Sequence, residues 1–93
     1  MKIELKSVVS RFEDHISAEV NDELVVLSVE HGKYFGFDDI AQIIWEQIKN
    51  PVSVDSLCKN LATQFDGDEE VIKADVLDFL NRLYADGMIV LES

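Results

Sequence analysis

His15, His31 and Cys58 are the residues of this 93-residue chain best suited to nucleophilic or metal chemistry. A zinc site brings four ligands together, usually with recognisable spacing between them. Neither histidine has a cysteine or carboxylate at a spacing that resembles such a site, and His31 falls in a turn, Glu30-His31-Gly32, where it reads as solvated. Cys58 lies on the apolar side of a helical pattern, so it reads as a small buried hydrophobe and not as a nucleophile. Carboxylates are plentiful, but general acid-base work needs a pair whose pKa values are pushed apart in a cleft, and no pair is singled out. Gly32 and Gly36 do not lead from a strand into a helix N-terminus with the spacing that cradles phosphate. These residues predict a protein that is not an enzyme, with no cofactor and no metal site.

The chemistry that does stand out is recognition by Tyr34-Phe35-Gly36-Phe37. Alternate side chains of a strand point to opposite faces, so three aromatics around one glycine exceed what a single face buries. Either a helix or the N-terminal segment covers the excess, or the strand lies at a sheet edge and receives an extended peptide as a further strand.

The elements around this segment read as a meander followed by helices. His15 to Val20 alternates apolar and polar residues, Asn21-Asp22-Glu23 supplies turn chemistry, and Leu24 to Val29 is apolar enough to be the centre of a sheet. Gly32 suits the positive φ of a tight turn before Lys33 to Phe37. Asp38 or Asp39 caps a first helix with an apolar stripe of Ile40, Ile43, Ile44 and Ile48 and Trp45 beside it; Asp39 and Gln42 approximate a capping box. Asn50-Pro51 stops it. Ser53 caps a second helix carrying Val54, Leu57, Cys58, Leu61, Ala62 and Phe65, which Asp66-Gly67 ends. Asp68 opens a third, with Glu69 and Glu70 in the first turn where the helix dipole favours negative charge, and a core stripe of Ile72, Val76, Phe79, Leu80 and Leu83. Gly87 closes it, and Met88 to Leu91 forms a short terminal strand or tail. Three strands cannot cover their own apolar face, so the helices must pack on it, giving one α+β domain over residues 1–93. The first ten or so residues allow either a mobile segment or an added strand.

Composition narrows the partners. With 8 basic and 19 acidic residues the net charge is −11. The excess is heaviest from Asp66 to Ser93, where eight carboxylates face Lys73 and Arg82. Nucleic-acid binders cluster lysine and arginine to neutralise phosphates, and no run here does so; a basic peptide or protein fits better. No apolar run approaches the roughly 20 residues that span a bilayer, and Met1 to Val9 lacks a signal-peptide core. One cysteine precludes an intrachain disulfide and suits a reducing compartment. The expectation is a cytoplasmic protein that binds neither nucleic acid nor membrane.

Leu24, Tyr34-Phe35-Gly36-Phe37-Asp38, Ala41, Ile44-Trp45, Pro51-Val52-Ser53-Val54, Leu57, Leu61, Asp75-Val76, Phe79-Leu80, Leu83 and Gly87-Met88-Ile89 together resemble the PqqD-like family. Its members are precursor-peptide recognition elements of ribosomally made, modified peptides. The resemblance runs from about Arg11 to Leu91. It implies a winged helix-turn-helix-like fold, a three-stranded antiparallel sheet followed by three helices, that binds the leader segment of a precursor peptide. In that family the leader adds to the third strand of the meander and lies against the third helix. Carried over, the peptide-binding residues are Lys33, Tyr34, Phe35, Gly36 and Phe37 on the strand and Val71, Asp75, Asp78, Phe79 and Arg82 on the helix. Helical spacing puts Val71, Asp75, Asp78 and Arg82 on one strip beside the core stripe.

The size and the Ile44-Trp45 pair look closest to the separate recognition protein of lasso peptide pathways, which implies a leader peptidase acting with a cyclase as partner. The alternative is the partner of a radical S-adenosylmethionine enzyme in pyrroloquinoline quinone synthesis. Phe37 stands where leucine is common in the family, and Asp38 where asparagine is. Two further readings are a winged-helix DNA binder, which rests on topology alone, and a structural dimerisation unit pairing through the exposed edge; the expected state is a monomer or weak homodimer.

Overall fold

The structure, a computed structural model, describes residues 2–13, 15–65 and 67–92. The meander forms as the sequence predicts, from β2 (His15–Val20), β3 (Glu23–Ser28) and β4 (Lys33–Phe37), in the order β2-β3-β4. Asn21 and Asp22 take φ of 52° and 67°, the left-handed pair that a two-residue hairpin needs and that Asn and Asp tolerate best among residues with side chains. Gly32 takes φ +66° in the second turn. The central strand starts and stops one residue earlier than its apolar run. Val29 sits exposed in the turn because Gly32 N–H closes the loop onto the Ser28 carbonyl at 2.8 Å.

β3 is central in pairing but not buried on both faces. Leu24, Val26 and Ser28 point to the core, whereas Leu27 is exposed on the outer face and Val25 half-buried there. The helices cover one face only, which is why an apolar run does not mean two-sided burial.

Three helices follow: α1 (Asp39–Gln47), α2 (Val54–Gln64) and α3 (Glu69–Ala85). Asp38, not Asp39, caps α1, its Oδ1 accepting the Ala41 N–H at 2.9 Å. The Asp39/Gln42 capping box does not form; Gln42 Nε2 donates to the Phe37 carbonyl at 3.2 Å instead. Ser53 and Asp68 cap α2 and α3 as their types predict, accepting from Ser56 and Glu70 N–H. α2 ends at Gln64 with Phe65 extended as its C-cap; of the Asp66-Gly67 stop, Asp66 lies outside the described residues. The apolar face of α1 is Ala41, Ile44, Trp45 and Ile48. Trp45 is fully in the core rather than beside it, and Ile40 is 52% exposed. The reason is positional: the first turn of α1 projects over a gap between β4 and α3 that no described residue fills.

A second sheet was not foreseen as a separate unit. The N-terminal segment supplies β1 (Val8–Arg11), which pairs antiparallel with β5 (Val52–Ser53) and with β6 (Ile89–Leu91). The added strand therefore joins the helix-turn-helix half and not the meander. Ile3 precedes it and is buried, held by Asn81 of α3: Oδ1 accepts the Ile3 N–H at 2.7 Å, and Nδ2 donates to the Ile3 and Leu77 carbonyls. One asparagine thus does for the strap what a neighbouring strand would do. Arg11 stacks 4.8 Å over the Trp45 ring and donates to the Trp45 carbonyl at 2.8 Å, tying β1 to α1.

The core runs through both halves. Val9 and Ile89 from the second sheet, Val26 and Phe37 from the meander, and Trp45, Leu57, Leu61, Leu80 and Leu83 from the helices form one cluster. Cys58 is part of it and wholly buried, and burial first, then the Asp55 charge, raises its thiol pKa above the ordinary 9.0.

Candidate functional site

The gap under α1 is a groove of about 500 Å³ between β4 and α3. Its strand wall is Phe35, Gly36 and Phe37, and its helix wall is Ile72, Asp75, Val76, Phe79, Arg82 and Leu83. Asp38, Ile40, Ala41 and Ile44 close one side, with Leu61 and Phe65 of α2 beneath. The period of the strand explains the split among the aromatics. Phe35 and Phe37 share the inward face, Phe37 buried and Phe35 half-buried, while Tyr34 is 73% exposed on the outer face. Phe37 meets Phe79 edge to face, with ring centroids 5.5 Å apart.

The register fixes which backbone groups are free. A two-residue hairpin at Asn21-Asp22 makes Val20 and Glu23 a pair that exchanges both hydrogen bonds. Counting along β3, Leu24, Val26 and Ser28 turn their N–H and C=O groups to β4, where their partners are Phe37, Phe35 and Lys33. The N–H and C=O groups of Tyr34 and Gly36 therefore point to the uncovered edge of the sheet. The backbone of Phe35 faces inward, into the meander.

The other edge strand, β2, lacks such a setting. Its inward positions Ser17 and Glu19 are polar and exposed, so no apolar wall flanks it, and a charged inward residue discourages pairing there.

Of the residues singled out in sequence, Phe35, Gly36, Phe37, Asp75, Phe79 and Arg82 line the groove. Four do not. Lys33 turns to the end of α3, its Nζ 2.8 Å from Asp86 Oδ1. Tyr34 contributes its backbone edge but not its ring, and Val71 is exposed outside the groove lining. Asp78 faces solvent and pairs with Arg82 at 3.4 Å. Sequence reasoning missed Ile40, Phe65 and Glu23. Ile40 and Phe65 had the right periodicity for core and were assigned there; their position at the open ends of helices is a tertiary fact.

The rim is acidic. Among the described residues that line the groove, Glu23, Asp38 and Asp75 stand against the single cation Arg82. Among the described residues no group of three or more His, Cys, Asp or Glu side chains could hold a metal ion, and no helix is long and apolar enough to cross a membrane. What the arrangement can do chemically is bind a chain: an open strand edge supplies backbone hydrogen bonds, and the groove beside it takes alternate side chains.

Known proteins fit this geometry. The sequence pattern of the family described as Coenzyme PQQ synthesis protein D (PqqD) matches residues 23–89, which spans β3 through the start of β6. The structure described as TbiB1 in complex with the TbiA(beta) leader peptide superposes with a TM-score of 0.76 at 25% identity, covering 90% of this chain and 95% of that one. A lasso peptide synthetase B1 complexed with the leader peptide gives a TM-score of 0.75 over 88% and 96% of the two chains; at 17% identity it shows the shared fold. No curated protein sequence matches the chain. With the family pattern covering most of its length, the chain belongs to the PqqD family.

Proposed function

We propose that this protein binds the leader segment of a ribosomally made precursor peptide as a fourth strand on β4, and passes it to a separate processing enzyme without itself doing chemistry. The observation that carries this reading is the juxtaposition of a free edge, Tyr34 and Gly36, with an apolar groove of about 500 Å³. The edge alone would not distinguish a docking site, since β2 also lies at an edge, where its inward residues Ser17 and Glu19 are polar and exposed. The likeness at 25% identity to TbiB1, a protein described in complex with a leader peptide, supports leader binding; within that reading the lasso peptide branch is proposed ahead of the pyrroloquinoline quinone branch. The downstream partner on this reading is a leader peptidase working with a cyclase. A cytoplasmic setting follows from the same pathway, and residues 1–93 act as one recognition unit, as a monomer or a weak homodimer.

The DNA-binding reading has the topology for it but the wrong charge: net −11 repels a phosphate backbone. The test is a titration with the precursor peptide encoded beside this gene, read by sedimentation and fluorescence anisotropy. A saturable 1:1 complex is the expected result. Absence of binding to that leader, or a self-paired dimer that the leader does not alter, would refute the reading.

A further inference from the structure

Gly36 is the one position of the aromatic strand without a side chain, and what crosses it is a carboxylate. Glu23 lies on β3, in the outer-face row, yet a β-carbon built on Gly36 would stand only 3.8 Å from Glu23 Oε2. Glu23 also lines the mouth of the groove on the far side of β4. The carboxylate thus lies beside Gly36, at the place where glycine leaves the outer surface bare. Asp38, next along the chain from Phe37, lines the same mouth; one of its oxygens accepts the Ala41 N–H.

Among the described residues neither carboxylate is ion-paired. The ion pairs among the described residues use Arg11, Lys33, Lys59, Lys73 and Arg82, none of them with Glu23 or Asp38. Arg82 is 3.4 Å from Asp78, on the other wall. Two of the carboxylates lining the groove therefore stand without a direct ion pair among the described residues, next to a vacant cross-strand position.

A strand added to β4 has a fixed pattern of side chains. Its residues opposite Phe35 and Phe37 point into the apolar groove, and the residue between them, opposite Gly36, lies on the outer face. Directly opposed β-carbons stand about 5 Å apart, so a lysine or arginine there spans the bare glycine and meets Glu23. We propose that the peptide taken by this protein carries a basic residue opposite Gly36, flanked by two apolar residues that enter the groove. The inference rests on strand addition at β4 and specifies the class of peptide that site accepts. Glu23 is then the specificity residue and Gly36 the position that lets it act.

The experiment is selection from a displayed library of random 12-residue peptides against the intact chain and against Glu23→Lys, followed by anisotropy measurements on the enriched peptides. Peptides selected by the native chain should carry lysine or arginine between two apolar residues. Changing that residue to glutamate should weaken binding about three- to tenfold, the scale of an exposed ion pair and its reversal. Glu23→Gln should reduce the difference to less than about twofold on the same scale, and Glu23→Lys should select aspartate or glutamate at that position. Enriched peptides that protect the Tyr34 and Gly36 amides but show no charge preference would overturn the inference and leave strand addition standing. Peptides that protect neither amide would overturn both.

Discussion

Phe37 on β4 and Phe79 on α3 meet edge to face, their rings inclined at 74° with centroids 5.5 Å apart. This contact joins the two walls of the groove at its floor. Phe37 is wholly buried and belongs to the core, whereas Phe79 is only partly buried and shows the rest of its surface to the groove. One ring therefore holds the strand to the helix while the other forms the surface a ligand touches.

Phe79→Ala should affect both properties. Truncation of a partly buried phenylalanine is expected to cost about 2–3 kcal/mol of stability, somewhat below the range for full burial. Leader affinity should fall at least about tenfold because the apolar wall is lost. Denaturant unfolding and anisotropy check the two effects, and Phe79→Leu should recover most of the stability with less of the affinity.

Proline scanning along β4 separates the two sides of the strand. Tyr34→Pro and Gly36→Pro each delete an N–H that faces the open edge, which edge strands tolerate, so melting temperature should change little while leader binding drops by more than about tenfold. Phe35→Pro deletes a bond to Val26 inside the meander and should lower the melting temperature sharply. Equal loss of stability at all three positions would contradict the register.

Asn81 holds the N-terminal strap through two hydrogen bonds to the Ile3 backbone and donates a third to the Leu77 carbonyl of its own helix. Asn81→Leu should destabilise the fold by about 1–3 kcal/mol, the cost of leaving such groups unpaired, and speed exchange of the Ile3 amide. Leader affinity should stay within about twofold, since neither Asn81 nor Ile3 lines the groove.

Cys58 links pH to stability. Burial raises its thiol pKa in the folded state above the ordinary 9.0, so the unfolded chain loses the proton first as pH rises. The unfolded state then binds fewer protons than the folded one, and stability falls with increasing pH from about 8.5 upward. Cys58→Ala should be less stable at pH 7 but show a shallower decline between pH 8.5 and 10, measured by urea unfolding. The native thiol should also resist alkylation until the protein unfolds.

The meander, its two turns and the helix caps at Ser53 and Asp68 were legible in sequence because each rests on local chemistry: left-handed turn residues, period-2 alternation, capping oxygens. The first cap was legible only as Asp38 or Asp39, and the aromatic strand as either covered or at an edge, because which strand lies at the edge is set by pairing across the chain. The second sheet was not legible, because Val8–Arg11 and Val52–Ser53 are too short to show a period and are defined by pairing across the chain. Ile40 and Phe65 illustrate the other limit. Helical spacing reports which face is apolar but not whether the fold leaves that face uncovered, and here the uncovered part is the groove. Glu23 was invisible as a site residue because its role depends on the register that sets it diagonally across from Gly36.

The central claim is that a leader peptide pairs with the open edge of β4. Amide hydrogen exchange of the chain, measured by NMR with and without the precursor leader, tests it most directly. The Tyr34 and Gly36 amides, which have no partner strand among the described residues, should become strongly protected on binding, while the Phe35 amide, already bonded within the meander, should change little. Binding of the leader with Tyr34 and Gly36 exchanging as fast as before would contradict it.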